Sequence, residues 1–216
     1  MAFDIYTKAL LHFNGTDGST TAIDEIGKTW TSHGGFQLDT AQYKFGESSG
    51  YFIPSGYIDT PDHSDWVLGT SDFTIEAWVN VGIGSFQTIC RRSISYWVYI
   101  ESSGSLVVKY YDAGSGGDEF VTGGTVANNT WTHVAVVMAT GNMTIYINGV
   151  GNSPTSTGGV VNSAGSLLIG DTTSTLGGWL DEFRFSNIAR WTSNFNPPTA
   201  PYGSVSFMPQ VMIIGE

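Results

Sequence analysis

The chain has 216 residues, 41% hydrophobic and 13% aromatic, enough for one sizeable core. Eight Lys and Arg against 19 Asp and Glu give a formal net charge of −11, so a phosphate backbone or an anionic membrane repels the chain before any specific contact forms, which argues against nucleic acid and membranes as partners. Frequent glycine (28) and scarce charge (12%) suit short strands joined by tight turns, and the single cysteine, Cys90, leaves stability to packing rather than disulfides.

In chain order, the first expected strand covers residues 9–13 and leads into the turn-rich NGTDGSTT. Strands are expected next at 50–53 and 57–59, then over 73–81. There TIEAWVNV alternates, with Ile75, Ala77, Val79 and Val81 on one face and Glu76, Trp78 and Asn80 on the other. The segment 87–91 carries Cys90, read as a buried structural thiol. Residues 96–101 and 105–110 flank a Ser-Ser-Gly turn as a hairpin, and DAGSGGD (112–118) is a Gly-rich loop. After a short strand at 119–121 comes WTHVAVVMATGNMTIYINGV, two alternating runs around a tight turn. Val134, Val136 and Met138 mark the core face of its first strand, and Met143, Ile145 and Ile147 that of its second.

Strands at 166–170 and 179–186 follow, then one short helical turn at 187–191 and the extended, proline-bearing NFNPPTAP. This divides the chain into an all-β domain, 1–196, and an apolar tail, 197–216. The closing SVSFMPQVMIIGE would be a sticky liability if free, so docking on its own domain and docking on another subunit both stand open. No leader with a basic flank and small-residue cleavage site opens the sequence, and no run approaches the roughly 18 apolar residues of a membrane span.

Four segments, KFGESSGYF, YIDTPDHSDWVLGTSDFTIEAWV, NNTWTHVAVVMATGNMTIYINGV and LLIGDTTSTLGGWLDEFRFSNIARW, resemble in their order the laminin-G-like branch of the concanavalin A-like lectin/glucanase superfamily. The resemblance implies a jelly-roll sandwich of two curved antiparallel sheets. It also implies a structural Ca²⁺ on the outer side of the sheets, at positions matching Asp181, Asn14, Asp17 and Gly46, the competing reading being that Asp181 pairs with Arg184 or a backbone N–H. The opening LLHFNGTDGSTT together with TPDHSDW looks like stand-alone modules of bacteriophage virions, which decorate capsids or build tail fibres.

Hydrolysis by a retaining glucanase needs two carboxylates about 5 Å apart on one face. The superfamily's Glu-x-Asp-x-x-Glu is missing, since no Glu here has an Asp two positions later. Asp181 with Glu182, and Asp118 with Glu119, are adjacent and are expected on opposite faces of their strands. Asp59, Asp62 and Asp65 read as turn-forming residues, and His133, in the W-x-H-V motif, as structural.

Sugar binding asks for exposed aromatics beside polar groups. Trp97, Tyr99, Tyr110, Tyr111 and Asp112 form the candidate glycan site, on the concave sheet, although strand parity divides the aromatics and burial between the sheets competes. The favoured reading is a non-catalytic virion module, capsid-decorating or tail-borne. It would lie on the virion surface after synthesis in the host cytoplasm, with virion proteins and copies of itself as partners and cell-surface polysaccharide as a further one. A lectin not tied to a virion is the alternative, and a glucan hydrolase is less favoured.

Overall fold

The computed structural model describes residues 4–203, and the closing segment 204–216 lies outside the described residues. The strands, in chain order, are β1 (Thr7–Leu11), β2 (Thr31–His33), β3 (Phe36–Asp39), β4 (Ser49–Phe52), β5 (Tyr57–Thr60), β6 (Phe73–Val81), β7 (Gln87–Arg92) and β8 (Tyr96–Ile100). There follow β9 (Ser105–Asp112), β10 (Gly117–Thr125), β11 (Thr132–Ala139), β12 (Asn142–Ile147), β13 (Val150–Gly151), β14 (Thr155–Ser156), β15 (Leu167–Gly170) and β16 (Gly178–Ser186). A single 3₁₀ turn, Ser64–Trp66, is the one helical element among the described residues.

The strands form two antiparallel sheets. Sheet A has nine strands, in the order β13-β12-β11-β6-β16-β4-β3, with β1 also on β16 and β14 also on β12. Sheet B has seven, in the order β10-β9-β8-β7-β15-β5-β2. Their inner faces share one core. Ile75, Val79, Val134, Val136, Leu180 and Phe183 enter it from sheet A, and Cys90, Val98, Val108, Tyr110 and Ile169 from sheet B. The alternation in β6, β11 and β12 is therefore the core register that the sequence predicts. Cys90 is fully buried, and burial pushes its thiol pKa up, consistent with an inert structural residue.

Three expectations need correction. The helical turn expected at 187–191 is an extended bend, held by Thr74, whose hydroxyl donates to Ile188 O (2.8 Å) and accepts from Arg190 N (2.9 Å). The Gly-rich loop expected at 112–118 shrinks to residues 113–116, because β9 runs on to Asp112 and β10 starts at Gly117. Packing also does not stop at residue 196. Ala189, Trp191 and Phe195 pack on Ala135, Val137 and Tyr146 of sheet A, and Tyr202 is buried. Residues 187–203 thus form a strap across the outer face of sheet A, tied further by Phe195 N donating to Gly149 O and Gly151 N to Asn194 Oδ1.

Candidate functional site

The two outer faces of the sandwich differ in kind. Beneath the strap, Glu76 lies on the outward parity of β6, with no exposed side-chain surface. Its cross-strand neighbour Arg184 donates to Oε1 through Nε (2.8 Å) and Nη2 (2.6 Å). Oε2 accepts from the Trp191 indole (2.9 Å) and the Tyr202 hydroxyl (3.4 Å), and His133 Nε2 stands 3.4 Å away. Burial alone would favour the neutral acid, but the His133 contact and the Arg184 charge outweigh it and hold the Glu76 carboxyl at about 2. The motif residues Glu76 and His133 are therefore fasteners of the strap.

On the same face, β16 carries a bulge between Asp181 and Arg184, and Glu182 takes a left-handed φ of 54°. The extra residue defeats simple alternation. Glu182 accepts from Tyr202 N (2.7 Å) and meets His12 Nδ1 (2.7 Å), so it shares the outer face with Asp181 instead of opposing it. Both carboxylates are buried there.

Asp181, the leading cation ligand expected from the sequence, accepts through Oδ2 from the amides of Lys44 (2.8 Å) and Phe45 (3.0 Å). Its Oδ1 is buried without a hydrogen-bond partner. Burial, with Glu182 adding repulsion, raises this carboxyl to about 7. Asn14 reaches the same loop, its Oδ1 accepting from Glu47 N (3.4 Å) and lying against Gly46, whose φ of 68° and close approach leave no room for a side chain. Asp17 does not join them, since its Oδ1 accepts from Thr40 N (3.1 Å) in a separate turn. No group of three or more acidic, His or Cys side chains is placed to hold a metal among the described residues. A hard cation here would draw on Asp181 Oδ1, Asn14 and main-chain carbonyls.

No described segment roofs the outer face of sheet B as the strap roofs sheet A. Outward parity there puts Arg91, Trp97, Lys109 and Phe120 in one cross-strand row over β7, β8, β9 and β10. The Trp97 indole donates to Thr88 Oγ1 (2.9 Å) and packs on Tyr99, on which the exposed Phe86 stacks in turn. The next row holds Tyr111 and Asp118. With the turn of Ser93 and Ile94, Arg91, Trp97, Lys109, Tyr111 and Asp118 bound an open pocket of about 490 Å³.

Of the expected glycan residues, Trp97, Tyr110 and Tyr111 border this pocket, and Tyr99 packs against the indole on the same face. Tyr110 and Asp112 have the opposite parity. The Tyr110 side chain is buried in the core, and the buried Asp112 carboxylate accepts the amides of Gly114 and Ser115 (both 2.8 Å) and Gly158 (2.7 Å), which fastens two loops. Residue reading missed Arg91 and Lys109. Their signal was available, since each occupies the outward position of a strand whose pairing sets it beside Trp97.

Two antiparallel sheets around a common core, one outer face strapped and the other open, define a jelly-roll module of the lectin type. A profile described as concanavalin A-like lectin/glucanases superfamily, of the laminin-G-like family, matches residues 52–193, and the chain belongs to that family. Among solved structures, the binding domain of botulinum neurotoxin serotype G is similar at a TM-score of 0.64 and 15% identity, over 84% of this chain and 47% of that one. This chain thus spans about half the toxin domain's length. Domain 4 of AbnA, an extracellular arabinanase from Geobacillus stearothermophilus solved with arabinotriose, gives 0.60 and 18% over 85% and 93%. The Trypanosoma rangeli sialidase, solved with sialic acid, gives 0.61 and 12% over 87% and 31%. No curated sequence matches the chain.

Proposed function

We propose that this chain is a non-catalytic carbohydrate-binding module that takes a glycan on the outer face of sheet B, at Trp97 and Tyr111. The observation that carries the reading is the open, aromatic-walled pocket of about 490 Å³ on the one outer face that the strap does not cover. An indole fixed by Thr88 offers a flat apolar surface with little rotamer freedom left to lose. Asp118 is the single carboxylate of the lining, and glycoside hydrolysis ordinarily uses two. Arabinotriose on the arabinanase domain, matched over 93% of that domain, is in keeping with a sugar ligand for this fold. A glycan-array screen of the folded protein, with Ca²⁺ and with EDTA, tests the proposal. Selective signals are expected, and a blank array in both conditions contradicts it.

A structural Ca²⁺ held by Asp181, with Asn14 and carbonyls of the 44–47 loop, is proposed on the unpartnered Asp181 Oδ1. Calcium should then raise the melting temperature of the wild type, by about 2–4 °C for each kcal/mol of linked binding. Asp181→Asn should abolish the rise, and an equal response in both proteins contradicts the site. Placement in a virion, as capsid decoration or tail component, is proposed from the resemblance and from the apolar segment 204–216. Deleting 204–216 should abolish incorporation or self-association while leaving the melting transition in place, and unaffected assembly contradicts that placement.

A further inference from the structure

The lining of the pocket on sheet B is rich in cations, each of them meeting an acid, on an acidic chain. Three of its four charged lining residues, Arg91, Arg92 and Lys109, are cations, on a chain of formal net charge −11. Arg92 is fully engaged. It is buried, and its guanidinium donates to Asp62 Oδ1 (2.6 Å), Asn162 Oδ1 (2.6 Å) and Trp66 O (3.1 Å). Arg91 differs, because its closest contact with an acid, Nε to Asp171 Oδ2 (2.6 Å), leaves its side chain 39% exposed. That exposure leaves the guanidinium within reach of an incoming anion. Lys109 reaches Asp118 Oδ2 at 2.7 Å, with the two side chains 35% and 48% exposed. So exposed a pair contributes little to stability and yields readily to a competing anion.

Register gives these two cations their meaning. Arg91 and Lys109 are the cross-strand partners of Trp97, one on each side. The resulting row of cation, indole and cation lets a ring stacked on Trp97 present an acidic substituent to either side and meet a donor. An exposed guanidinium can match a carboxylate bidentately, and charge-assisted bonds of this kind are about twice as strong as neutral ones. Resting on the carbohydrate reading above, we infer that the ligand of this pocket is an acidic polysaccharide. One sugar ring stacks on Trp97 while its carboxylate, or the sulfate of a substituted sugar, is taken by Arg91 and Lys109.

Isothermal titration of the full chain with matched pairs tests this: trigalacturonic acid against its methyl ester, sialyllactose against lactose, and dextran sulfate against dextran. The acidic member of at least one pair should bind about tenfold or more tighter than its neutral partner. Preference in the first two pairs identifies a carboxylate, and preference in the third alone a sulfate. Lys109→Gln and Arg91→Lys should each shrink the preference, and Arg91→Lys, which keeps the charge and loses the fork, should cost carboxylates more than sulfates. Circular dichroism confirms that both variants are folded. Equal binding of acidic and neutral members overturns the acidic ligand and leaves the carbohydrate reading standing. Binding of no member in any pair overturns both, and an undiminished preference in both variants overturns the assignment to this row.

Discussion

Glu76→Ala lowers the stability of the fold by about 3–5 kcal/mol, the range for removing one partner of a buried ionic network. The loss is large because four groups depend on one carboxylate. Arg184, Trp191, Tyr202 and His133 all converge on Glu76, and truncation leaves a part-buried guanidinium without its anion beneath the strap. The pH response has a definite sign. A carboxyl held at about 2 in the folded chain, against an ordinary 4.5, contributes stability that is fully present above the ordinary value and is lost as pH falls toward 2. The contribution is on the order of 3 kcal/mol. Urea denaturation at a series of pH values checks both statements. Wild type should lose this increment between pH 5 and pH 2, Glu76→Gln should lose less over the same interval, and equal pH profiles would count against the network.

Trp97→Ala weakens glycan binding by about 2 kcal/mol or more, roughly thirtyfold, as removal of a central aromatic anchor does. Its cost to folding should stay near 1 kcal/mol, because the indole is partly exposed and gives up one hydrogen bond to Thr88 and the contact with Tyr99. Tyr146→Phe serves as the control, since that side chain packs under the strap on sheet A and its loss of a hydroxyl should leave affinity unchanged. Calorimetry on the three proteins with the strongest array ligand measures the difference. Equal affinities for wild type and Trp97→Ala would place the site elsewhere.

Period-two patterning made much of this fold readable before any coordinates. Ile75, Ala77 and Val79, with Val134 and Val136, fall on the core face their alternation predicts. The same parity separated Trp97 and Tyr99 from Tyr96, as the pairing with Lys109 and Tyr110 shows. The bulge in β16 was not readable. GWLDEFRF looks continuous, and only a left-handed Glu182 brings it onto the face of Asp181. The edge strand β10 was also understated, because GDEFVTGGT is polar and Gly-rich and is held mainly by its ladder to β9. The strap was hidden for a third reason. Its docking depends on Glu76 and Gly149, residues far from it in sequence, so nothing local in NFNPPTAP announces the face it covers. The cations of the pocket were not legible from their own strands, since Arg91 and Lys109 gain significance only when strand register sets them beside Trp97.

The central claim, that sheet B carries the sugar site while sheet A is closed by the strap, is tested most directly by nuclear magnetic resonance of the seven tryptophan indoles during titration with the strongest array ligand. Trp97→Phe assigns the critical resonance. The Trp97 indole N–H should shift first and furthest, while Trp78 and Trp191 on the face of sheet A stay in place. Shifts concentrated at Trp78 and Trp191, with Trp97 unmoved, would contradict the account.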